Sequence, residues 1–97
     1  MWNLHLEKIK ACVLQDLSDE DVSVALFGSM VEGESRRGSD VDVAIIPKGM
    51  WNRRKLALLR EKLENLNVPY AVELVDFSDV SREFKDFALK KVVWWKN

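Results

Sequence analysis

The sequence predicts an α/β protein of the α+β kind, with a small mixed β-sheet of about three to four strands and helices packed on one face. Short apolar runs rich in β-branched residues alternate along the chain with segments whose apolar residues recur at helical spacing. The 97 residues, of which 47% are hydrophobic and 32% charged, are enough for one small domain over residues 1–97.

Bulk properties exclude several classes of function. The net charge of -1 gives no general attraction to nucleic acid. No apolar run approaches the roughly 20 residues of a membrane-spanning helix, and the N-terminus has no signal-peptide pattern. A single cysteine, Cys12, cannot form an internal disulfide and fits a reducing compartment, so we expect a cytoplasmic protein. Because so small a domain buries little apolar surface, a partner or a homodimer would add stability.

The first half of the chain predicts one helix and two strands. Apolar residues at helical spacing predict a helix over residues 2–17, followed by an exposed acidic turn. The run Val22–Phe27 is rich in β-branched residues and predicts the first strand. Residues 40–46 predict the second strand, which Pro47 ends.

The second half predicts a helix, a strand and a last helix. Asn52 can cap a helix that runs to about Leu66, and its basic residues either form a solvated face or contact phosphates or RNA. Residues 70–77 predict the third strand. Ser78 is placed to cap a last helix whose apolar residues continue to Val92.

Residues 28–42 are the strongest candidate site. Gly28 and Ser29 follow the first strand directly, and a Gly-Ser turn at the start of a helical turn offers backbone N–H groups and a hydroxyl to phosphate oxygens. Asp40 and Asp42 begin the second strand, where side chains two residues apart project from the same face. Carboxylates in this arrangement bind hard divalent cations such as Mg²⁺. The combination predicts a site for a nucleoside triphosphate and its metal.

Glu73 adds a third carboxylate if the third strand lies beside the second. It projects away from Val72 and Leu74, and so would share a face with the two aspartates. Three unpaired carboxylates repel one another, whereas two Mg²⁺ ions can bind them, bridge the triphosphate and lower the pKa of an attacking hydroxyl. Glu73 is then the candidate for activating that hydroxyl. In the loop between, Arg36 and Arg37 either neutralise phosphate charge or form ordinary surface.

The same residues resemble the signature of minimal nucleotidyltransferases, members of the DNA polymerase β-like nucleotidyltransferase superfamily. That signature is Gly-Ser, ten residues and Asp-x-Asp, as in Gly28-Ser29, residues 30–39 and Asp40-Val41-Asp42. The resemblance covers nearly the whole chain. It implies the nucleotidyltransferase fold, Mg²⁺ with ATP or another NTP, both aspartates as metal ligands and Glu73 as the third carboxylate.

Two departures from the family pattern bear on activity. The family's loop often reads Gly-Ser-Arg-Ala-Arg-Gly, whereas Met30, Val31 and Glu32 stand here in place of Arg-Ala-Arg. Two positive charges near the triphosphate are lost and one negative charge is gained. The third carboxylate is more often Asp than Glu, so Glu73 places its oxygens one methylene further out.

The resemblance also implies a partner and leaves the function open between classes. Minimal nucleotidyltransferases are commonly encoded beside HEPN-domain proteins, and such pairs behave as antitoxin and toxin, with AMP transferred to a tyrosine of the HEPN protein. Trp51, Trp94 and Trp95 either contact such a partner or pack onto the chain's own core. The chain is then an enzyme that transfers AMP to a protein hydroxyl, or a binding module that neutralises its partner by contact. A small-molecule acceptor is a third alternative.

Overall fold

The computed structural model describes residues 3–31 and 40–97. In that part the chain forms three α-helices, one 3-10 turn and four strands. Their bounds are α1 Leu4–Leu17, β1 Val22–Phe27, the 3-10 turn Gly28–Met30, β2 Asp40–Pro47, α2 Lys55–Glu64, β3 Ala71–Asp76, α3 Arg82–Ala88 and β4 Val93–Lys96. The elements from α1 to β3 match the predicted ones to within a few residues at each end.

The strands form one mixed sheet in the order β3-β2-β1-β4. β1 pairs antiparallel with β2 and with β4, while β2 pairs parallel with β3. Parallel neighbours need a crossover connection, and α2 supplies it between β2 and β3. This four-stranded mixed sheet with its helices confirms the predicted α+β fold class.

The main core lies between one face of the sheet and helices α1 and α2. Each helix presents about one apolar side chain per turn to the sheet, which is the stripe that its sequence predicts. The strands contribute the β-branched residues of their alternate positions. Fully or largely buried members of this core are Ile9, Val13, Leu17, Val22, Val24, Leu26, Met30, Val41, Val43, Ile45, Leu56, Leu59, Leu63 and Leu74.

α3 packs against the opposite face of the sheet, so the helices do not all lie on one face as predicted. Phe27, Ala44 and Phe77 form a second buried cluster there. The ring of Phe84 in α3 lies edge-on to Phe27 and Phe77, with centroid distances of 6.2 and 5.9 Å. The physical reason is that β1 is buried along its whole length, and its aromatic end on this face needs cover.

A turn held by Asp76 sets where α3 begins. The Ser78 backbone N–H and hydroxyl both donate to Oδ1 of Asp76, at 2.9 and 2.6 Å. Ser78 is therefore committed to this turn and does not cap the helix as predicted. Ser81 caps it instead, because its hydroxyl accepts the N–H of Phe84 at 3.1 Å. Nε of Arg53 lies 3.2 Å from Oδ2 of the buried Asp76, an ion pair that offsets the charge of this carboxylate without a hydrogen bond to Oδ2.

The C-terminal tail forms β4 instead of continuing the last helix to Val92 as predicted. Its β-branched and aromatic residues favour a strand, and they pair with β1. Trp95 packs against the main core, while Trp94 stays 44% exposed. Nζ of Lys96 donates to the backbone carbonyl of Val22 at 3.0 Å. The tail thus packs onto its own chain and also leaves one tryptophan exposed.

Ion pairs join α2 to the end of α1. Nζ of Lys55 lies 2.9 Å from a carboxylate oxygen of Asp19 and 2.9 Å from one of Glu20. Nζ of Lys62 lies 2.8 Å from Asp16. Because water screens ion pairs at the surface, these pairs orient the two helices more than they stabilise them. Asp19 and Glu20 of the acidic turn thus bind Lys55 of the basic helix face. Asp16 of α1 binds Lys62 of the same face.

Candidate functional site

The two aspartates of β2 project from the face of the sheet that carries α3. Val41 and Val43 are fully buried on the side of α1 and α2, and strand alternation turns Asp40 and Asp42 to the other side. In the parallel pairing of β2 with β3, Glu73 lies directly opposite Asp42. The three carboxylates that the sequence singles out therefore lie on one face of adjacent strands.

Asp42 lies between the other two carboxylates and is half-buried, whereas they are exposed. Burial raises the pKa of the Asp42 carboxyl, and the negative charges of Glu73 and Asp40 raise that pKa further. Both effects disfavour the ionised form of Asp42. A bound cation would counteract both, because it replaces lost hydration and offsets the neighbouring charges.

Gly28 stands directly beside the Asp42 carboxylate. Its φ of 82° is in the left-handed region, which favours glycine. A Cβ at this position would overlap the Asp42 carboxylate, so the close approach also requires glycine. Ser29 and Met30 continue the chain as a single 3-10 turn, in which the Val31 N–H donates to the Gly28 carbonyl at 3.1 Å. The Gly-Ser turn therefore lies directly beside the Asp42 carboxylate.

A polar cavity of about 360 Å³ opens beside Glu73 at the outer edge of β3. Asp40 and Glu73 line it from the sheet, and Arg60 and Glu64 line it from α2. The Arg60 guanidinium also donates to the backbone carbonyl of Leu74 at 3.1 Å, which satisfies one acceptor on that strand. A second molecule can reach the carboxylates from this edge.

A second recess, of about 390 Å³, lies on the other side of the site. It is lined by Phe27, Gly28, Phe84, Phe87, Ala88, Lys90 and Lys91. This recess was not predicted from the sequence, because the last helix was expected on the same face of the sheet as α1 and α2. The available signal was the pair Phe84 and Phe87, three residues apart on one side of a helix and followed by two lysines.

The carboxylates fit Mg²⁺ that is shared with a nucleotide better than a metal held by protein alone. Among residues 3–31 and 40–97, no group of three or more Asp, Glu, His and Cys side chains could hold a metal ion by itself. Mg²⁺ is usually bound by one or two carboxylates together with substrate phosphates, and it keeps several waters. Asp40 and Asp42 supply that number of carboxylates, beside a turn suited to phosphate.

Other features singled out in the sequence either fall outside the described residues or do not form part of this site. The predicted phosphate-neutralising role of Arg36 and Arg37 falls on residues outside the described part of the chain, as does Glu32 of the altered loop. Cys12 is partly buried in α1, and burial raises the pKa of its thiol. Because the thiolate is the nucleophilic form, a raised pKa indicates a packing residue and not a nucleophile. None of the helices described in residues 3–31 and 40–97 is long and apolar enough to cross a membrane.

Comparison with known families defines the class of protein. The family model described as "Polymerase beta, Nucleotidyltransferase" matches residues 7–97. The chain therefore belongs to the polymerase β nucleotidyltransferase family and is a nucleotidyltransferase. A curated relative, the probable protein adenylyltransferase MntA of Haemophilus influenzae, is 32% identical over 81 residues. That match covers 84% of this chain and 70% of the relative.

Solved structures show the same fold. A crystal structure described as a toxin-antitoxin with AMP-PNP matches with a TM-score of 0.66 at 23% identity, over 89% of this chain and 71% of that chain. A complex of tri-AMPylated Shewanella oneidensis HEPN toxin with MNT antitoxin matches with a TM-score of 0.60 at 18% identity, over 92% and 70% of the two chains. The predicted nucleotidyltransferase fold is confirmed.

Proposed function

We propose that this protein is a Mg²⁺-dependent nucleotidyltransferase that transfers AMP from ATP to a hydroxyl group of a partner protein. The observation that most supports this proposal is the position of Asp40, Asp42 and Glu73 on one face, with the Asp42 carboxylate directly beside Gly28. The name of the curated relative supports AMP as the transferred group. The AMP-PNP in a structure of similar fold supports ATP as the donor.

Each part of the site has a role in this proposal. The Ser29 hydroxyl and nearby backbone N–H groups bind the β- and γ-phosphates, and the missing side chain of Gly28 allows their close approach. Arg36 and Arg37 would neutralise part of the phosphate charge. Asp40, Asp42 and Glu73 would hold two Mg²⁺ ions that are shared with the triphosphate. Bound Mg²⁺ supplies charge neutralisation for the triphosphate and for the leaving pyrophosphate.

The acceptor enters through the polar cavity beside Glu73. Its hydroxyl oxygen forms a bond to the α-phosphorus of ATP, and the bond from that phosphorus to the oxygen shared with the β-phosphate breaks. Pyrophosphate leaves, and the hydroxyl proton passes to the Glu73 carboxylate, which lines the cavity and is exposed to it. The products are the AMP ester of the acceptor and pyrophosphate.

We propose a HEPN-domain protein as the acceptor, with this protein acting as the antitoxin in the cytoplasm. A structure of similar fold is an MNT antitoxin in complex with a tri-AMPylated HEPN toxin, which supports both the partner and the reaction. Trp94 is the exposed member of the three tryptophans that the sequence offers as partner contacts, since Trp51 and Trp95 pack against the main core. Residues 1–97 act as a single minimal nucleotidyltransferase domain.

A second function, neutralisation of the partner by contact alone, is favoured by Met30. This residue stands where the family often has arginine, and it is 8% exposed and packed in the main core. It therefore brings no positive charge to the triphosphate, which weakens nucleotide binding relative to the family pattern. In this alternative the carboxylates persist without turnover.

Transfer of label distinguishes these functions. The protein is incubated with Mg²⁺ and ATP labelled at the α-phosphate, with and without the protein encoded by the adjacent gene. We expect label on that partner, loss of label when Mg²⁺ is chelated, and at least about a 10²-fold slower transfer with Glu73→Gln, because a positioned proton acceptor contributes on this order. A stable complex without label would favour neutralisation by contact. Neither label nor complex would contradict both functions and direct attention to small-molecule acceptors.

A further inference from the structure

The recess formed by α3 contains aromatic surface that the core does not account for. Phe84 packs edge-on against Phe27 and Phe77 but remains 42% exposed, and Phe87 is 72% exposed. An exposed aromatic ring in a concave, mainly apolar recess is a common feature of ligand sites. The volume of about 390 Å³ falls within the range of roughly 300–1,000 Å³ that is typical of sites for small molecules.

The recess is continuous with the carboxylate site through one residue. Gly28 lines the recess and is also the residue whose absent side chain leaves room for the Asp42 carboxylate. Phe27 lies opposite Asp42 in the pairing of β1 with β2, so the aromatic wall and the acidic residue are on neighbouring strands. A ligand whose phosphates lie at Gly28 can therefore extend directly into the recess.

The charge of the recess complements such a ligand. Lys90 and Lys91 follow α3 and line the recess together with the aromatic rings. A site with aromatic faces on one part and ammonium groups on another suits a molecule that joins a flat ring to an anion. Nucleobases stack on aromatic side chains regardless of sequence because every base has a π-face.

We propose that this recess binds the base and ribose of the nucleoside triphosphate, with Phe87 stacking on the base and Lys90 and Lys91 contacting the phosphates. The inference rests on the proposed nucleotidyl transfer and adds to it a binding site for the base. Lys90 and Lys91 then supply positive charge to the phosphates that Met30, which stands where the family often has arginine, does not supply. The base lies on the Gly28 side of the carboxylates, and the acceptor enters from the Glu73 side.

Binding measurements with two probes test this assignment. The complete chain is titrated with ATP and with inorganic tripolyphosphate, both with Mg²⁺, for wild type, Phe87→Ala and Phe87→Tyr. We expect Phe87→Ala to weaken ATP binding about 10-fold, the order found when a stacking ring is removed. The same variant should bind tripolyphosphate as wild type does, because tripolyphosphate has no base. Phe87→Tyr keeps the ring and should bind ATP normally.

A control variant separates stacking from general loss of apolar surface. Leu58→Ala removes a side chain that is 62% exposed on α2, away from the recess, and should leave both affinities unchanged. Because Phe87 is itself largely exposed, its removal should leave the melting temperature close to that of wild type.

Three outcomes would overturn the assignment. Equal ATP affinity in wild type and Phe87→Ala, with wild type still labelling its acceptor, would remove the base site and leave the proposed function standing. If Phe87→Ala keeps the ATP affinity of wild type but no longer binds the partner, the recess is a surface that contacts protein and not the base. Wild type that binds neither probe would contradict the proposed function as well.

Discussion

Replacing Asp42 by asparagine is expected to abolish nucleotidyl transfer while making the folded protein more stable. Asparagine has nearly the same shape, so the contact with Gly28 is kept. It lacks the negative charge that a shared Mg²⁺ ion requires, and transfer should fall by at least about 10²-fold, the order seen when one electrostatic contact to the transition state is lost. The measurement is label transfer to the partner under conditions in which wild type is linear with time.

The gain in stability follows from the site's own electrostatics. Burial and the charges of Glu73 and Asp40 raise the pKa of Asp42, so the folded state binds a proton there more readily than the unfolded state. Wild type therefore loses stability relative to Asp42→Asn as the pH rises through that raised pKa, and the difference shrinks below about pH 4, the ordinary pKa of Asp. Because the Asp42 carboxyl is only half-buried, solvent screens part of this penalty, and we expect a small rise in melting temperature for Asp42→Asn at neutral pH.

A charge-matched variant controls for non-specific effects. Glu61→Gln removes one negative charge from an exposed position on α2, on the opposite side of the sheet, and should leave transfer and the melting temperature at neutral pH unchanged. Melting is followed without Mg²⁺ between pH 3.5 and 8, a range chosen to span the ordinary pKa of Asp at about 4. A lower melting temperature for Asp42→Asn at neutral pH would show that this carboxylate is a structural group.

Gly28→Ala carries the second largest expected effect. The substitution places a Cβ against the Asp42 carboxylate and holds a non-glycine residue at a φ of 82°. Left-handed backbone costs about 1–2 kcal/mol for a residue with a side chain, so the free energy of unfolding should fall by about that amount. Transfer should fall by about 10²-fold, because displacement of a catalytic group by about 1 Å has an effect of this order.

The other described glycine offers a matched control. A Cβ at Gly49 would come 2.9 Å from Oδ2 of Asp21, but that carboxylate ends an exposed side chain that can turn away. Gly49→Ala should therefore retain wild-type transfer and lose less stability. Full transfer activity in Gly28→Ala would contradict the role assigned to the turn, whatever the change in stability.

Local patterns explain why much of the fold could be predicted from the sequence. α1 buries one stripe of apolar residues, and β1 is buried along its whole length. Each therefore leaves a local pattern in the sequence, a helical spacing in α1 and a short apolar run in β1. Alternation in β2 turned Asp40 and Asp42 to one face, as predicted. Parallel pairing of β3 beside β2 then brought Glu73 opposite Asp42, a relation that spacing alone permits but does not require.

The remaining features depend on contacts between distant residues. The side on which α3 packs is decided by the Phe27 and Phe77 rings, and neither ring reveals its partner in the local sequence. From local sequence the tail could extend a helix or add a strand. It forms the strand β4 because it pairs with the edge of β1. Because α3 was assigned to the other face, Phe87 and the following lysines could not be connected with the site.

Calorimetric titration of ATP into wild type and Asp42→Asn, with Mg²⁺ and with EDTA, tests directly whether the carboxylates hold the metal of the nucleotide. If ATP binds as a magnesium complex on the carboxylate face, wild type should bind it only when Mg²⁺ is present, and Asp42→Asn should bind it much more weakly. Equal binding by both proteins, with or without the metal, would show that these carboxylates do not hold the metal of the nucleotide.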